Sequence, residues 1–503
     1  MAIPVFFRQL ALRTSAIFVV KLMGALIRIP LFRLLGAEGV GLYQMAYSFY
    51  GLVLTFIMGG FPTALSLLTA KDARKGKTLT IILLVCLAFV GSCAAYLTYI
   101  FAPRIALFMG DQKLTVAIQY IAPALFTVPL LHLIRGYLQG IEYYGYIAGS
   151  EVIEQLVRVC TMLGLVTLWM MHGEVWTVGG AVFGAFSGAV CALLFLLFPL
   201  RVSFQVSNNE RTTQSLFIGF PIFLHSALAI LATRLVVPVS EFLDALIIPH
   251  RLQDGGMSIT QATAVFGEIS GMAVTAVYVP TIVTAAISHT LSSKVAEDWK
   301  SKKYNAFSRK SRLTIQLTWG WGIVSLLFLF FYAYEISTLL FGNDEVGRGI
   351  RYLCAVPLLT GIREVTTTIL WSQEREKEPI MGLILGIVCS VILAYFLVAI
   401  PGYGYEGAAL SILSLECVAA IWNVVQIKKM NNGIFLIFPA LWEAICILVT
   451  GVLYFFLLST MKGAFFHTLP IFVQEIGAMA LFGGGMAVYI GIRFLKKNRY
   501  AIY

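Results

Sequence analysis

Apolar runs of about 20 residues recur along the whole chain, and between Lys71 and Tyr503 no polar stretch is long enough to fold on its own. Crossing about 30 Å of hydrocarbon takes roughly 20 helical residues, because lipid cannot satisfy backbone polar groups. The pattern predicts an all-α, polytopic membrane protein with about 14 transmembrane helices. We place the spans at 9–35, 39–70, 80–103, 114–139, 145–171, 177–200, 214–250, 262–293, 313–341, 348–371, 379–400, 405–427, 434–460 and 469–493. We expect the seventh span to be bent or split near Pro238.

Composition agrees with this class of protein. The chain is 59% hydrophobic and 12% charged, with a mean hydropathy of +0.86, which lies outside the range of soluble domains. The cysteines fall inside predicted spans and form no C-x-x-C pair, so we expect small apolar fillers and neither disulfides nor metal ligands. They are Cys86, Cys93, Cys160, Cys191, Cys354, Cys389, Cys417 and Cys446.

Basic residues concentrate in alternate loops, which predicts that both chain termini are cytoplasmic. The loops assigned to the inside carry Lys71, Arg74, Lys75, Lys77, Arg201, Arg211, the 294–312 cluster, Arg375, Lys377, Lys428, Lys429 and the basic tail after Arg493. This rule and anionic lipids account for the net charge of +11, so we expect no nucleic-acid partner. The segment 294–312 is the longest polar stretch, and we expect it to be a solvated loop joining two halves.

An internal repeat supports the two halves. Residues 118–135 resemble 350–363, and residues 176–194 resemble 403–421, with an offset of about 230 residues in each case. Six spans therefore repeat once in the same orientation, as in transporters built from two parallel halves around a central cavity. The predicted domains are 1–205, an N-lobe of six helices; 206–430, a C-lobe of six helices; and 431–503, two additional helices with a basic cytoplasmic tail.

The charged residues inside spans are the candidates for function, because each costs roughly 2.5–3.5 kcal/mol to insert unless it faces water or a partner. In span 1, Arg13, Lys21 and Arg28 are eight and seven residues apart and lie within about 80° on a helix. For Arg13 and Arg28 the alternative is snorkelling from the helix ends, whereas Lys21 lies near the middle of the span.

Span 5 carries a second set of charges. Glu154 and Arg158 are four residues apart and can pair on one helix face, as part of a purely structural ion pair or of a mechanism. The full set of cavity or ion-pair candidates outside span 1 is Arg135, Glu151, Glu154, Arg158, Arg234, Asp244, Glu268, Arg363 and Glu364, with Arg251 near the outer end of span 7. The late acids Glu416, Glu443 and Glu475 have no base nearby in the sequence.

Four motifs carry a family resemblance over nearly the whole chain. They are KLMGALIRIPLFRLLGAEGVGLYQMAYSFY at 21–50, LIRGYLQG at 133–140, EVIEQLVRV at 151–159 and DALIIPHRLQDGGMSITQATAVFGEISGMA at 244–273. With these motifs the chain resembles the multidrug/oligosaccharidyl-lipid/polysaccharide (MOP) exporter superfamily. Within that superfamily it resembles the stage V sporulation protein B branch, which is related to lipid II flippases.

The resemblance implies a flippase that moves an undecaprenyl-diphosphate-linked saccharide across the bacterial cell membrane by alternating access, for the cell wall or spore cortex. Lys21, Arg28 and Arg251 would then supply fixed cations for the diphosphate, which needs them in a low-dielectric cavity. We expect no cofactor; the coupling ion, Na⁺ or H⁺, is left open by the sequence. Anionic membrane lipids and cell-wall synthesis proteins are the other candidate partners.

The sequence is also compatible with other functions. The same superfamily includes cation-coupled exporters of small drugs, for which an acidic N-lobe would be expected, whereas span 1 here is basic. The export of other undecaprenyl-linked polysaccharide units is a closer alternative. A polyprenyl-sugar transferase or polymerase would need metal-binding acids or a catalytic base, but the sequence has no D-x-D or H-E-x-x-H motif. We therefore expect a transporter and not an enzyme.

Overall fold

Helices make up all of the regular structure in the part of the chain that the computed structural model describes, residues 5–206, 214–430, 437–465 and 470–499. Side chains are described for residues 20, 23–24, 26–204, 220–288, 294–429, 442–461, 470 and 472–493. The predicted all-α fold class is thereby confirmed.

The chain forms two compact units, Met1–Gly267 and Glu268–Tyr503. The first unit contains α1 (Val5–Met58), α2 (Phe61–Lys71), α3 (Ala73–Phe108), α4 (Leu114–Ile121), α5 (Ala124–Gly140), α6 (Tyr144–Trp169), a 3₁₀ turn (Met170–His172), α7 (Glu174–Val206), α8 (Gln214–Asp254) and α9 (Ile259–Phe266). Both α8 and α9 pack against α1. The predicted domain boundaries at 205/206 and 430/431 rest on the sequence repeat, whereas the two compact units are defined by contacts within each unit. The boundaries therefore stay a prediction.

A π-helical turn (Gly267–Ala273) leads into the second unit. The remaining helices are α10 (Val274–Tyr278), α11 (Thr281–Lys300), α12 (Tyr304–Phe331), α13 (Ala333–Phe341), α14 (Val346–Tyr352), α15 (Val356–Ser372), α16 (Lys377–Leu397), α17 (Gly404–Met430), α18 (Ile437–Phe465) and α19 (Ile471–Arg499). In this unit α15 packs against α11, α12 and α17, while α18 and α19 pack against α12.

Eleven helical stretches among the described residues are long and apolar enough to cross a membrane, and two bent pairs raise the number to 13. The bends lie between Tyr278 and Thr281, at 52°, and between Tyr352 and Val356, at 44°. The sequence predicts one span more because it separates spans 1 and 2. In the structure these two spans begin as two helices that meet at Gly36, inside the predicted gap, and both are included in α1.

The kink in α1 depends on the backbone of one glycine. Gly36 has φ 68° and ψ −179°, a conformation that is essentially restricted to glycine. Its consequence is visible in Phe32 and Tyr43, whose ring centroids are 6.4 Å apart. Eleven residues of straight helix would separate them by about 16 Å. Gly36 therefore folds the first part of α1 back beside the second part.

The predicted solvated loop at 294–312 is wrong. Helix α11 runs on to Lys300 and α12 begins at Tyr304, so only three residues connect them. The segment is helical because its apolar residues enter a core with α15, and Lys310 pairs with Asp298 at 2.6 Å. Span 7 is not split near Pro238, since α8 continues through that proline from Gln214 to Asp254, so this alternative is wrong. A bend at Pro238 stays a prediction.

The sequence repeat has a structural counterpart. Residues 118–135 belong to a short helix followed by a longer one, α4 and α5, of 8 and 17 residues. Residues 350–363 belong to the equivalent pair, α14 and α15, of 7 and 17 residues. Each pair is followed by two closely packed helices, α6 with α7 and α16 with α17. The two units are thus built on the same local plan.

Replacing Gly36 with alanine tests the kink. We expect Gly36→Ala to lower the free energy of unfolding by about 1–3 kcal/mol, because a Cβ is strained at this φ and ψ although no atom lies within 4 Å of it. Gly51 is the matched control, since it is helical, lies in the same helix and also has open space around its Cβ position. Thermal unfolding in detergent measures both variants. Equal midpoints for the two would contradict the assigned strain.

Candidate functional site

A cluster of two arginines and one carboxylate lies inside the first unit. Arg135 on α5 is 7% exposed and donates from Nε to Ser150 Oγ at 2.9 Å and from Nη1 to Glu154 Oε2 at 2.8 Å. Arg158, one turn beyond Glu154 on α6, donates to the other Glu154 oxygen. Two guanidinium groups therefore share one buried carboxylate. Burial of these charges is tolerable because each is paired and hydrogen-bonded.

Tyrosines on α1 lie next to this arginine–carboxylate cluster. Tyr43, Tyr47 and Tyr50, the tyrosine ladder, are spaced by four and three residues and so share one helix face. Their ring centroids are 4.5 Å apart for Tyr43 and Tyr47, and 6.0 Å apart for Tyr47 and Tyr50. Arg158 interacts electrostatically with all three rings. The sequence analysis missed these residues, although the spacing of the tyrosines was a usable signal.

Arg28 lies on the other side of the α1 kink and is exposed. It interacts electrostatically with Tyr43 and with Glu241 of α8. Arg28 and Tyr43 would be about 22 Å apart along a straight helix, so the kink at Gly36 is what brings them together. The side chains of Arg13 and Lys21, the other two members of the predicted cationic stripe, lie outside the described residues.

Helix α8 contributes a polar stripe, with Arg234, Glu241, Asp244 and Arg251 spaced by seven, three and seven residues. Arg251 pairs with Asp254 at 2.6 Å. Arg251 and Glu241 are ten helical residues apart on α8, a rise of about 15 Å. Arg28 interacts with Glu241 and therefore lies beside a different part of α8 from Arg251. The structure therefore does not bring these two predicted cations together.

The remaining candidates of the first unit lie around these groups. Arg234 is exposed and donates from Nη2 to Thr63 Oγ1 at 2.8 Å. Asp244 is half-buried close to Glu241. Glu151 is half-buried on α6, three residues before Glu154. None of these three belongs to the shared Arg135–Glu154–Arg158 contact.

The second unit has its own buried ion pair. Arg363 on α15 donates from Nε to Glu416 Oε2 at 2.6 Å and from Nη2 to Oε1 at 3.3 Å. Tyr278 donates to the same Oε1 at 3.0 Å. Glu416 is therefore the partner that the sequence analysis could not assign, because it lies on α17, 53 residues beyond Arg363. Glu364, adjacent to Arg363, is half-buried.

Glu268, also in the second unit, lies on the π-helical turn and is 9% exposed. It interacts electrostatically with Glu345 and Arg348, and it lies near Tyr405. Arg348 pairs with Glu406 and stands over the Tyr405 ring, with its Cζ 4.8 Å from the centroid. Turns of π-helix are frequent at functional sites, but this group lies in the other compact unit from Arg28.

One further group was missed by the sequence analysis. Lys113, in the loop before α4, pairs with Glu38 and lies 3.8 Å from Glu174 of α7. The hydrogen bond from Lys113 to Glu38 raises the pKa of the ammonium group above its ordinary value. The neighbouring Asp111 accepts a hydrogen bond from Thr263 at 2.8 Å. These contacts tie the start of the second part of α1 to α4, α7 and α9.

The first unit thus offers fixed guanidinium groups beside aromatic hydroxyls, an arrangement that suits a ligand with both phosphate and polar, hydroxylated parts. Among the residues that the structure describes, no group of three or more His, Cys, Asp or Glu side chains could hold a metal ion. The candidate site is therefore centred on Arg28, the tyrosine ladder and Arg158.

The shared carboxylate provides a stability test of the cluster. We expect Glu154→Gln to lower the free energy of unfolding by on the order of 3 kcal/mol, because it leaves two guanidinium groups without a counter-charge. Glu378→Gln is the control, since Glu378 pairs with Arg375 at 2.6 Å in a half-exposed position and should change stability by less than about 1 kcal/mol. Unfolding in detergent measures both variants, and equal losses would contradict the assignment.

Comparison with known proteins relates this geometry to a family. Residues 7–244 match the family described as polysaccharide biosynthesis protein, and this range contains Arg28, the tyrosine ladder and Arg158. Stage V sporulation protein B of Bacillus subtilis is 24% identical over 439 residues, covering 86% of this chain and 85% of that protein. Lipid II flippase MurJ of the same organism is 24% identical over 527 residues, covering 96% and 95%.

Solved structures agree on the fold. A structure of the lipid II flippase MurJ in an inward closed conformation aligns with a TM-score of 0.72 at 15% identity, covering 97% of this chain and 99% of that one. An inward-facing multidrug resistance MATE family transporter of the MOP superfamily aligns with a TM-score of 0.66 at 14% identity, covering 83% and 98%. The chain is thus a multi-pass membrane protein that is similar in sequence to stage V sporulation protein B and to lipid II flippase MurJ, and it shares its fold with these two solved transporters.

Proposed function

We propose that this protein is a flippase for a lipid-linked saccharide of the peptidoglycan-precursor, lipid II type. The observation that carries the proposal is the correspondence with the lipid II flippase over almost the full length of both chains. The match to the polysaccharide biosynthesis family, which lies within the first unit, supports the same class of substrate. In this proposal the protein is a transporter without enzymatic activity, and both termini face the cytoplasm.

The chemistry of the headgroup explains why a flippase needs arginines inside its membrane helices. A diphosphate in a low-dielectric site requires fixed positive charges, and arginine can bind it through two parallel N–H donors. Arg28 is an exposed guanidinium that interacts with Tyr43, and we assign it to the diphosphate. Lys21 and Arg251 stay predicted cations of the transport path, since Arg251 lies about 15 Å along α8 from Glu241, the carboxylate that interacts with Arg28. Glu241 then holds Arg28 between transport cycles, and the phosphate competes with it.

The driving force follows from the charge of the substrate. Moving two negative charges outward across an inside-negative potential of 100 mV is favourable by about 4.6 kcal/mol, using about 2.3 kcal/mol per charge. Alternating access between the two lobes would carry the headgroup through the protein while the lipid tail stays in the bilayer. The product would serve cell-wall or spore-cortex synthesis.

Transport of lipid II in proteoliposomes tests the proposal. We expect wild-type protein to move lipid II faster than protein-free vesicles do, and Arg28→Ala to reduce the rate by about tenfold or more, because a charged hydrogen bond to phosphate is lost. Lys21→Ala and Arg251→Ala should also lower the rate of lipid II transport. Arg104→Ala should retain the wild-type rate, since Arg104 is exposed on α3 with its Cζ 5.4 Å from the Phe101 ring centroid.

The outcomes separate the function from the site. A wild-type rate equal to that of protein-free vesicles would contradict the flippase proposal. Wild-type transport that survives Arg28→Ala, Lys21→Ala and Arg251→Ala unchanged would leave the flippase in place and overturn the assignment of the headgroup cations.

A further inference from the structure

The tyrosine ladder lies in the first half of predicted span 2, on the part of α1 that follows Gly36. Tyr43 and Tyr47 are half-buried, and Tyr50 is 7% exposed, so the ladder borders accessible space at one end and is enclosed at the other. It runs for seven residues, about 10 Å, along one face of α1. The phenol groups interact electrostatically with Arg28, from the first part of α1, and with Arg158 of α6.

Arginines border the ladder, and each has a carboxylate beside it: Glu241 interacts with Arg28, and Glu154 pairs with Arg158. Arg28 interacts with Tyr43, and Arg158 interacts with all three rings. Arg158 is held in position by Glu154, which also binds Arg135, so the guanidinium has a fixed direction. A phosphate bound at Arg28 would therefore place whatever is attached to it beside Tyr43 and Tyr47.

Tyrosine rings offer the two contacts that a sugar ring can use. The apolar face of the ring packs against the C–H face of a pyranose, and the hydroxyl exchanges hydrogen bonds with sugar hydroxyls. A lipid tail would be served equally well by leucine, and a phosphate is served better by arginine. The ladder therefore has the chemistry of a saccharide surface, and its position next to Arg28 is where the saccharide of a lipid-linked substrate would begin.

We propose that Tyr43, Tyr47 and Tyr50 form the surface that contacts the saccharide of the transported lipid, while Arg28 holds its phosphate. This inference rests on the proposed function and extends it, because it assigns different parts of the substrate to different residues. The kink at Gly36 is required for both parts of the site, since it places Arg28 beside Tyr43.

Binding of two lipids in nanodiscs tests whether Arg28 contacts the phosphate and the tyrosine ladder contacts the saccharide. The lipids are lipid II and undecaprenyl diphosphate, which carries the phosphates but no saccharide. We expect Tyr47→Ala to weaken binding of lipid II by about tenfold and to leave undecaprenyl diphosphate unchanged, because about 1.4 kcal/mol of aromatic contact is lost. Arg28→Ala should weaken both lipids.

Controls keep the experiment decisive. Tyr96→Ala removes a tyrosine that is 66% exposed on α3 and should bind both lipids as the wild type does. Tyr47→Phe keeps the ring and should retain most of the affinity for lipid II, whereas Tyr47→Leu keeps apolar volume without an aromatic face and should behave like Tyr47→Ala. If Tyr47→Ala fails to fold, the comparison of Tyr47→Phe with Tyr47→Leu carries the test.

Each outcome has one meaning. Equal weakening of the two lipids by the Tyr47 variants, or no weakening of either, would overturn the saccharide assignment. Wild-type protein that binds neither lipid would contradict the proposed function itself. Selective loss of lipid II, with undecaprenyl diphosphate retained, supports the ladder as the saccharide surface.

Discussion

A charge inside a membrane must find a partner or face water, and this constraint organises both units of the protein. In the first unit Glu154 is shared by Arg135 and Arg158, and in the second unit Arg363 is held by Glu416. The repeat places Arg135 and Arg363 at equivalent positions. Their carboxylates nevertheless come from non-equivalent helices, α6 and α17, so the two units satisfy the same requirement in different ways.

Buried charge pairs stabilise the helices, whereas an exposed charge can contact a ligand. Arg28 is exposed and interacts with Glu241 without belonging to the buried cluster. Its position depends on the backbone of Gly36, because only the kink brings a residue from the first part of α1 next to Tyr43. The strained backbone at Gly36 therefore positions Arg28, which we propose binds the headgroup.

Much of the fold could be predicted from the sequence, because membrane spans are recognisable by length and hydropathy and the repeat is visible in the residues. The i,i+4 spacing also indicated the contact between Glu154 and Arg158. The contact of Arg363 with Glu416 could not be predicted, since it joins helices that are distant in sequence. The segment 294–312 was misjudged because its many charges hid the apolar residues that pack against α15. The tyrosine ladder was not predicted, because charge inside a span was the only signal used to select candidate residues.

The voltage dependence of transport tests most directly whether the protein carries an anionic lipid headgroup outward. Lipid II transport can be followed in proteoliposomes with an imposed potential of either sign and with no ion gradient other than the one that sets it. The account predicts faster outward movement of lipid II when the cytoplasmic side is negative and slower movement when the potential is reversed. A protein-dependent transport rate that is the same at both potentials would contradict it.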